Sequence, residues 1–248
     1  MALVWQKNIG DKQYQVRRAG ASIRLYTDGV FHSQFNSNHP LSGSIWDLLV
    51  LPALFAPMDI RRVLVLGLGG GAVVRTLQAL LPGRHITAVE IDPIHIQVAL
   101  KYFAVRPNRH TKLIEMDAIT WLKHYRGETF DFIIDDLFIE ADGAPNRAVS
   151  ANQTWCNLLT KQLAPKGILT VNFDSNKILR TSALVEQAKF SRLFASRFIL
   201  STPGYENRVA AFFKSSQTQA NLKTTLRQLE AHQGKALTRR FNASIRKF

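Results

Sequence analysis

The sequence predicts an α/β fold: a mostly parallel sheet of seven strands with helices on both faces, preceded by a small antiparallel β unit. Three observations predict it. Between Arg61 and Phe173, short apolar runs alternate with helical patterns, and the runs are too continuously apolar to belong to a sheet with one wet face. A glycine cluster, Gly67-Leu68-Gly69-Gly70-Gly71-Ala72, joins the first of these runs to the first helix of the series. Acids stand at the carboxyl ends of the next three runs: Glu90, Asp117 and Asp136.

The elements follow in order. The first forty residues alternate apolar and polar side chains ("YQVRRAGASIRLYTDGVFHSQF"), with turns expected near Ala19-Gly20 and Asp28-Gly29, so they read as antiparallel strands. A helix from about Ser44 to Phe55 links them to the body. There, "RRVLVLG", "HITAVE", "TKLIEM", "FDFIIDD" and "GILTVNF" read as strands, while "AVVRTLQALL", "PIHIQVALKYF", "AITWLKHY" and "TWCNLLTKQL" read as helices. After a further helix, "RFILS" and "RVAAFFK" flank the turn-rich "TPGYEN" and suit an antiparallel pair at the sheet's end. Residues 221–248 carry seven Lys and Arg against Glu230 alone and read as a helix with a basic tail. The expected division is 1–42 for the β unit, 43–216 for the α/β domain, and 217–248 for the C-terminal helix and tail.

Composition narrows the function classes. With 248 residues, 46% of them hydrophobic, the chain can bury one sizeable core. The longest apolar stretch, "IWDLLVLPALFAPM", contains Asp47, Pro52 and Pro57 and is too short to span a bilayer, so no membrane helix is expected. The N-terminus offers no apolar block of signal-peptide length, and the lone Cys156 has no internal disulfide partner; a reducing, cytoplasmic setting is expected. The formal charge of +14 attracts anions such as nucleic acid or acidic metabolites and repels polycations. No metal is expected, because the histidines lack paired spacing, and neither G-x-S-x-G nor C-x-x-C is present. Cys156 and the stripe Trp121, Leu122 and Tyr125 read as core, and His32 as a structural or exposed histidine.

The glycine cluster fits G-x-G-x-x-G/A, in which absent side chains permit a tight strand-to-helix turn and let a ligand approach backbone N–H groups. Glu90 ends the following strand, where a carboxylate accepts hydrogen bonds from ribose hydroxyls. A dinucleotide enzyme would share these features but needs a second, substrate-binding domain, for which this chain has little room. Asp117, just ahead of "AITWLKHY", reads equally as a helix cap.

Together "VLVLGLGGGAVVR…VEIDP…MDAITWL…FDFIIDDLF…LAPKGILTVNF" resembles the spermidine synthases and their spermidine-synthase-like relatives, from about Leu25 to Phe213. The resemblance implies the Rossmann-like fold of class I S-adenosylmethionine-dependent methyltransferases. It implies that Gly67, Gly69 and Gly70 line the cofactor, Glu90 holds the ribose, Ile91 packs on adenine, Asp117 and Ala118 meet the adenine edge, and Asp136 sits beside the reacting centre as the catalytic acid-base group. The expected ligand is S-adenosylmethionine, its decarboxylated form or methylthioadenosine. The expected partner is a small-molecule acceptor, with weak nucleic-acid binding through the tail, and a homodimer, left open.

Departures from the family are equally informative. Aminopropyltransferases of this kind usually read G-G-G-D-G-G, whose acid would meet the amine of the decarboxylated cofactor; here that position is Gly70. They usually carry D-x-x-D-P after the fourth strand, where this chain has Asp136 followed by Ile139 and Glu140, with Glu140 or Asp142 as substitutes from the loop. "SIWDLL" lacks the usual Tyr-His-Glu and offers only Asp47. The expectation is therefore a methyl or aminopropyl transferase with an intact nucleoside half and a stripped polyamine half. The alternatives are a nucleic-acid-directed methyltransferase gripping phosphates with Arg239, Arg240, Arg246 and Lys247, and a nucleoside-binding module without catalysis.

Overall fold

The structure, a computed structural model, describes every residue except 37, 40, 57, 142, 222, 223 and 226–242. Strands β1 (Ala2–Ile9), β2 (Lys12–Ala19), β3 (Ser22–Thr27) and β4 (Val30–Asn36) pair antiparallel in chain order, with turns at Gly20 and Gly29 where the dipeptides place them. Val16 and Leu25 are cross-strand partners, and both point fully buried into the body. Helix α1 (Ile45–Leu54) is buried along almost its whole length. It starts at a capping box: Ser44 is the N-cap, and Asp47 reaches back to the backbone.

The alternating stretch forms β5 (Arg62–Leu66), α2 (Ala72–Leu80), β6 (His85–Glu90), α3 (Pro93–Tyr102), β7 (Thr111–Glu115), α4 (Ala118–His124) and β8 (Phe130–Asp135). A hairpin, β9 (Phe138–Ala141) and β10 (Ala144–Arg147), precedes α5 (Gln153–Lys161) and β11 (Leu163–Phe173). Three short helices, α6 (Asn176–Arg180), α7 (Ala183–Glu186) and α8 (Ala188–Ser191), lead to β12 (Ser196–Ser201), β13 (Arg208–Phe213) and β14 (Ser244–Lys247). The main sheet runs β14-β12-β13-β11-β8-β5-β6-β7, parallel from β11 to β7 and antiparallel beyond.

Helices cover both faces because each central strand is apolar on both. In β5, Val63 and Val65 join the core formed with α1, α2 and α3, while Leu64 and Leu66 join the core formed with α4 and α5. Trp121, Leu122 and Cys156 are buried in the second core, as read.

Two features depart from the expectation. The sheet has eight strands, because Ser244–Lys247 pairs with β12; Ile245 is buried there, and the Phe248 ring meets Phe212 edge-on. Arg246 and Lys247 are therefore part of a sheet edge and not of a free basic tail. Arg239, Arg240 and most of the expected C-terminal helix lie outside the described residues. The second departure is the β9–β10 hairpin, in a stretch read as loop. Among the described residues, no helix is long and apolar enough to cross a membrane.

Candidate functional site

The chain winds outward through β5, β6 and β7, then returns across β5 to β8, so strand order reverses between β5 and β8. Loops leaving the carboxyl ends diverge at such a point and open a crevice. A cleft of about 540 Å3 lies there, walled by the glycine loop, the ends of β6 to β8, the β9–β10 hairpin and residues of β4 and α1. β4 is clamped to the loop: the Ala72 N–H at the start of α2 donates to Ser33 Oγ at 3.2 Å.

Gly67 turns the chain out of β5 with φ +88°, and a Cβ there would lie 2.2 Å from the Asp136 carbonyl oxygen. Only glycine permits that approach. Glu90, at the end of β6, is buried and pinned by backbone amides: Leu68 and Gly69 N–H donate to Oε2 at 2.8 and 3.0 Å, and Asp92 N–H donates to Oε1 at 3.0 Å. Burial alone would raise its pKa. The His95 imidazole, with Nδ1 3.9 Å from Oε2, and the Asp92 and Leu68 amides outweigh burial and hold Glu90 at about 2, so it is anionic at neutral pH.

Beyond Glu90, Ile91 is 65% exposed and projects into the cleft. Asp117 and Ala118 line it at the start of α4, and Asp117 Oδ1 caps that helix by accepting the Thr120 N–H at 2.8 Å. Capping uses one oxygen, so the cap and a ligand-facing position coexist in one residue.

The Asp135-Asp136 pair splits by the alternation of an extended chain. Asp135 turns into the core, where it accepts hydrogen bonds from Arg147 and the Trp155 indole, each at 2.8 Å. Asp136 lines the cleft and accepts the Asn172 amide at 2.8 Å. Burial, countered by Asn172 but reinforced by Asp135, pushes its pKa up to about 6. The cleft thus holds one carboxylate that stays ionised and one poised to exchange a proton.

Other expected positions fall elsewhere. Gly70 does not line the cleft; a Cβ there would meet the Phe103 ring at 2.6 Å, so this position faces packed core and not ligand. Asp47 is buried, with Oδ2 accepting the N–H groups of Ser42, Gly43 and Ser44 at 2.8, 2.6 and 3.1 Å, a structural task that takes it out of the cleft. Glu140 accepts the Gly143 N–H at 2.7 Å in the hairpin turn. Asp142 lies outside the described residues.

His32 was read as structural, yet it lines the cleft beside Glu90, its ring 5.2 Å from that of His95. Burial, with His95 acting in the same direction, lowers its pKa to about 4, so it is neutral. Asn172, Phe31, Trp46, Phe138 and Tyr205 also line the cleft and were not singled out from sequence. They come from β11, the β unit, α1, the hairpin and the β12–β13 link, and no motif spacing connects such distant segments. Among the described residues, no group of three or more His, Cys, Asp or Glu is arranged to hold a metal ion.

The sequence pattern of the spermine/spermidine synthase domain matches residues 47–225, most of the chain. This chain belongs to the spermine/spermidine synthase domain family. A polyamine aminopropyltransferase of Vibrio vulnificus is 32% identical over 145 residues, covering 57% of this chain and 47% of that protein. An eEF1A lysine and N-terminal methyltransferase homolog of Drosophila melanogaster is 34% identical over 155 residues, covering 59% of this chain and 23% of that protein. The matches thus span less than half of either relative. A probable spermidine synthase from Corynebacterium glutamicum superposes with a TM-score of 0.74 over 100% of this chain and 91% of its own, at 17% identity, which establishes the shared fold. The relatives to which this chain is similar are thus named for two different transfers.

Proposed function

We propose that the cleft binds S-adenosylmethionine or a related thioether nucleoside, and that the chain is a transferase moving a methyl or aminopropyl group to a nucleophilic acceptor. The observation carrying this reading is Glu90, an ionised carboxylate tied to the glycine loop by two backbone amides, with Ile91, Asp117 and Ala118 on the same wall. Its Oε1 accepts one protein N–H and retains capacity for a ribose hydroxyl. Gly67 and Gly69 supply close backbone approach, and Asp136, at the end of β8 in the same cleft, is the group that orients the acceptor or takes its proton. In such a site the cofactor supplies a sulfonium carbon as electrophile, and discharge of the sulfonium drives the transfer.

Polyamine synthesis fits the residues poorly. The position of the family acid that would meet a decarboxylated cofactor's amine is Gly70, packed on Phe103, and the second diamine acid is replaced by Ile139. Intact S-adenosylmethionine is therefore the favoured ligand. Calorimetry with S-adenosylmethionine, methylthioadenosine, decarboxylated S-adenosylmethionine and NAD tests the reading. Binding of the first two, weaker binding of the third and none of NAD is expected. Tight binding of NAD alone would overturn it, and strong preference for the decarboxylated form would restore aminopropyl transfer to an amine.

A further inference from the structure

The acceptor end of the cleft has its own chemistry. Phe31 of β4 meets Trp46 of α1 edge-on, with centroids 5.0 Å apart and planes at 84°, and Trp46 meets Tyr205 in the same way at 6.4 Å and 80°. The hairpin, whose strand β10 lies against β4, presents Phe138, Ile139 and Pro145 to the same cleft. Among the described lining residues, the carboxylates are Glu90, Asp117 and Asp136, all set at strand ends on the sheet side. Among the described residues that line the cleft, Phe31, Trp46 and Tyr205 come from segments that contribute no acid to the lining.

Aromatic faces can hold cations, which would suit a diamine. Here that role is already filled from within. The Arg24 guanidinium carbon lies 5.4 Å from the Phe31 ring centroid, and its side chain hydrogen-bonds Gln34 at 2.7 Å; among the described residues it forms no ion pair. A diamine entering this end would lose its water and approach the Arg24 charge, with Asp136 alone within reach to pair one of its two cations.

We infer that the acceptor is an aromatic or branched apolar molecule without positive charge, carrying a hydroxyl, thiol or neutral amine as nucleophile, seated between the Phe31-Trp46-Tyr205 wall and the Ile139 hairpin. The inference rests on the transferase reading and specifies the other half of the same site. The nucleophilic atom bonds to the transferred carbon of the sulfonium nucleoside while the carbon–sulfur bond breaks and its electron pair stays on sulfur. The acceptor's proton passes to the Asp136 carboxylate and from there to water.

The test is a binding comparison on the full chain saturated with methylthioadenosine, using 2-naphthol as the neutral aromatic probe and putrescine as the diamine. The wild type binds 2-naphthol more tightly than putrescine, by roughly tenfold or more, since burying an unpaired cation costs several kcal/mol. Ile139 is 49% exposed, so Ile139→Asp can be placed without opening the core, and a cooperative thermal melt checks that the variant is folded. Ile139→Asp should shift the preference toward putrescine by roughly tenfold. Methylthioadenosine binding by the wild type, with putrescine equal to or tighter than 2-naphthol, or an unchanged preference in folded Ile139→Asp, would overturn this inference alone. Failure of methylthioadenosine to bind would overturn the transferase reading and this inference with it.

Discussion

Asp136 is one of two cleft acids on which the reading depends, and its environment makes a prediction independent of any ligand. Its folded pKa of about 6 lies above the ordinary carboxylate value of 3.8 that it has in the unfolded chain. Its contribution to stability is therefore fully present below about pH 4 and lost as pH rises through about 6, because the folded state must give up a proton it holds more tightly than the unfolded chain does. Asp136→Asn removes this penalty. The variant should gain stability over wild type between pH 4 and pH 8 by up to about 3 kcal/mol, read from urea melts at the two pH values. A difference that does not change with pH would show that Asp136 is not held in this state. Glu90 carries the opposite sign: its pKa of about 2 lies below 4.5, so its contribution is present at neutral pH and lost only as pH falls. The sequence marked both acids by their place at strand ends. The family resemblance singled out Asp136 of the Asp135-Asp136 pair, and the two side chains do leave the end of β8 in opposite directions. Gly70 misled: its place in the motif is ligand-facing, but here the Phe103 ring already packs against its α-carbon.

The β9–β10 hairpin shows what local pattern could not reveal. Its segments are short, and Pro145 and Gly143 suggest a loop. The pairing is secured from outside, by Arg147 of β10, whose guanidinium is buried against Asp135 of β8, donates to the Val149 carbonyl at 2.9 Å and lies over the Phe173 ring. Such a contact between residues 12 apart in the sequence, on different strands, leaves no periodic trace. Removing one partner of a buried pair strands the other charge, so Arg147→Ala should lose about 3–5 kcal/mol in urea unfolding. A loss below about 1 kcal/mol would mean that the pair does not hold the hairpin over the cleft. Strand β14 was missed because its four residues are mostly charged or polar, and its pairing depends on an open edge of β12. By contrast, β5, β6, β8 and β11 were legible because burial on both faces imposes a continuous apolar run that polar loops do not imitate.

At the scale of the whole molecule, the order of strands and the sign of the charge argue in the same direction. The reversal of strand order between β5 and β8 creates the crevice, and the sequence had placed Glu90, Asp117 and Asp136 at the strand ends that border it. What the alternation could not show is that the antiparallel unit and α1 fold back to wall the crevice with Phe31, His32 and Trp46, giving it an apolar end. A chain of charge +14 whose motif carries Ile139 where the family's second diamine acid stands is a poorer trap for a diamine than for a nucleoside carrying its own carboxylate. The most direct measurement is calorimetric titration of methylthioadenosine into wild type, Glu90→Ala and Asp136→Asn. If Glu90 holds the ribose, Glu90→Ala loses about 1.5–3 kcal/mol for each charge-assisted hydrogen bond, while Asp136→Asn binds within about 1 kcal/mol of wild type. Equal affinity of wild type and Glu90→Ala would contradict the account.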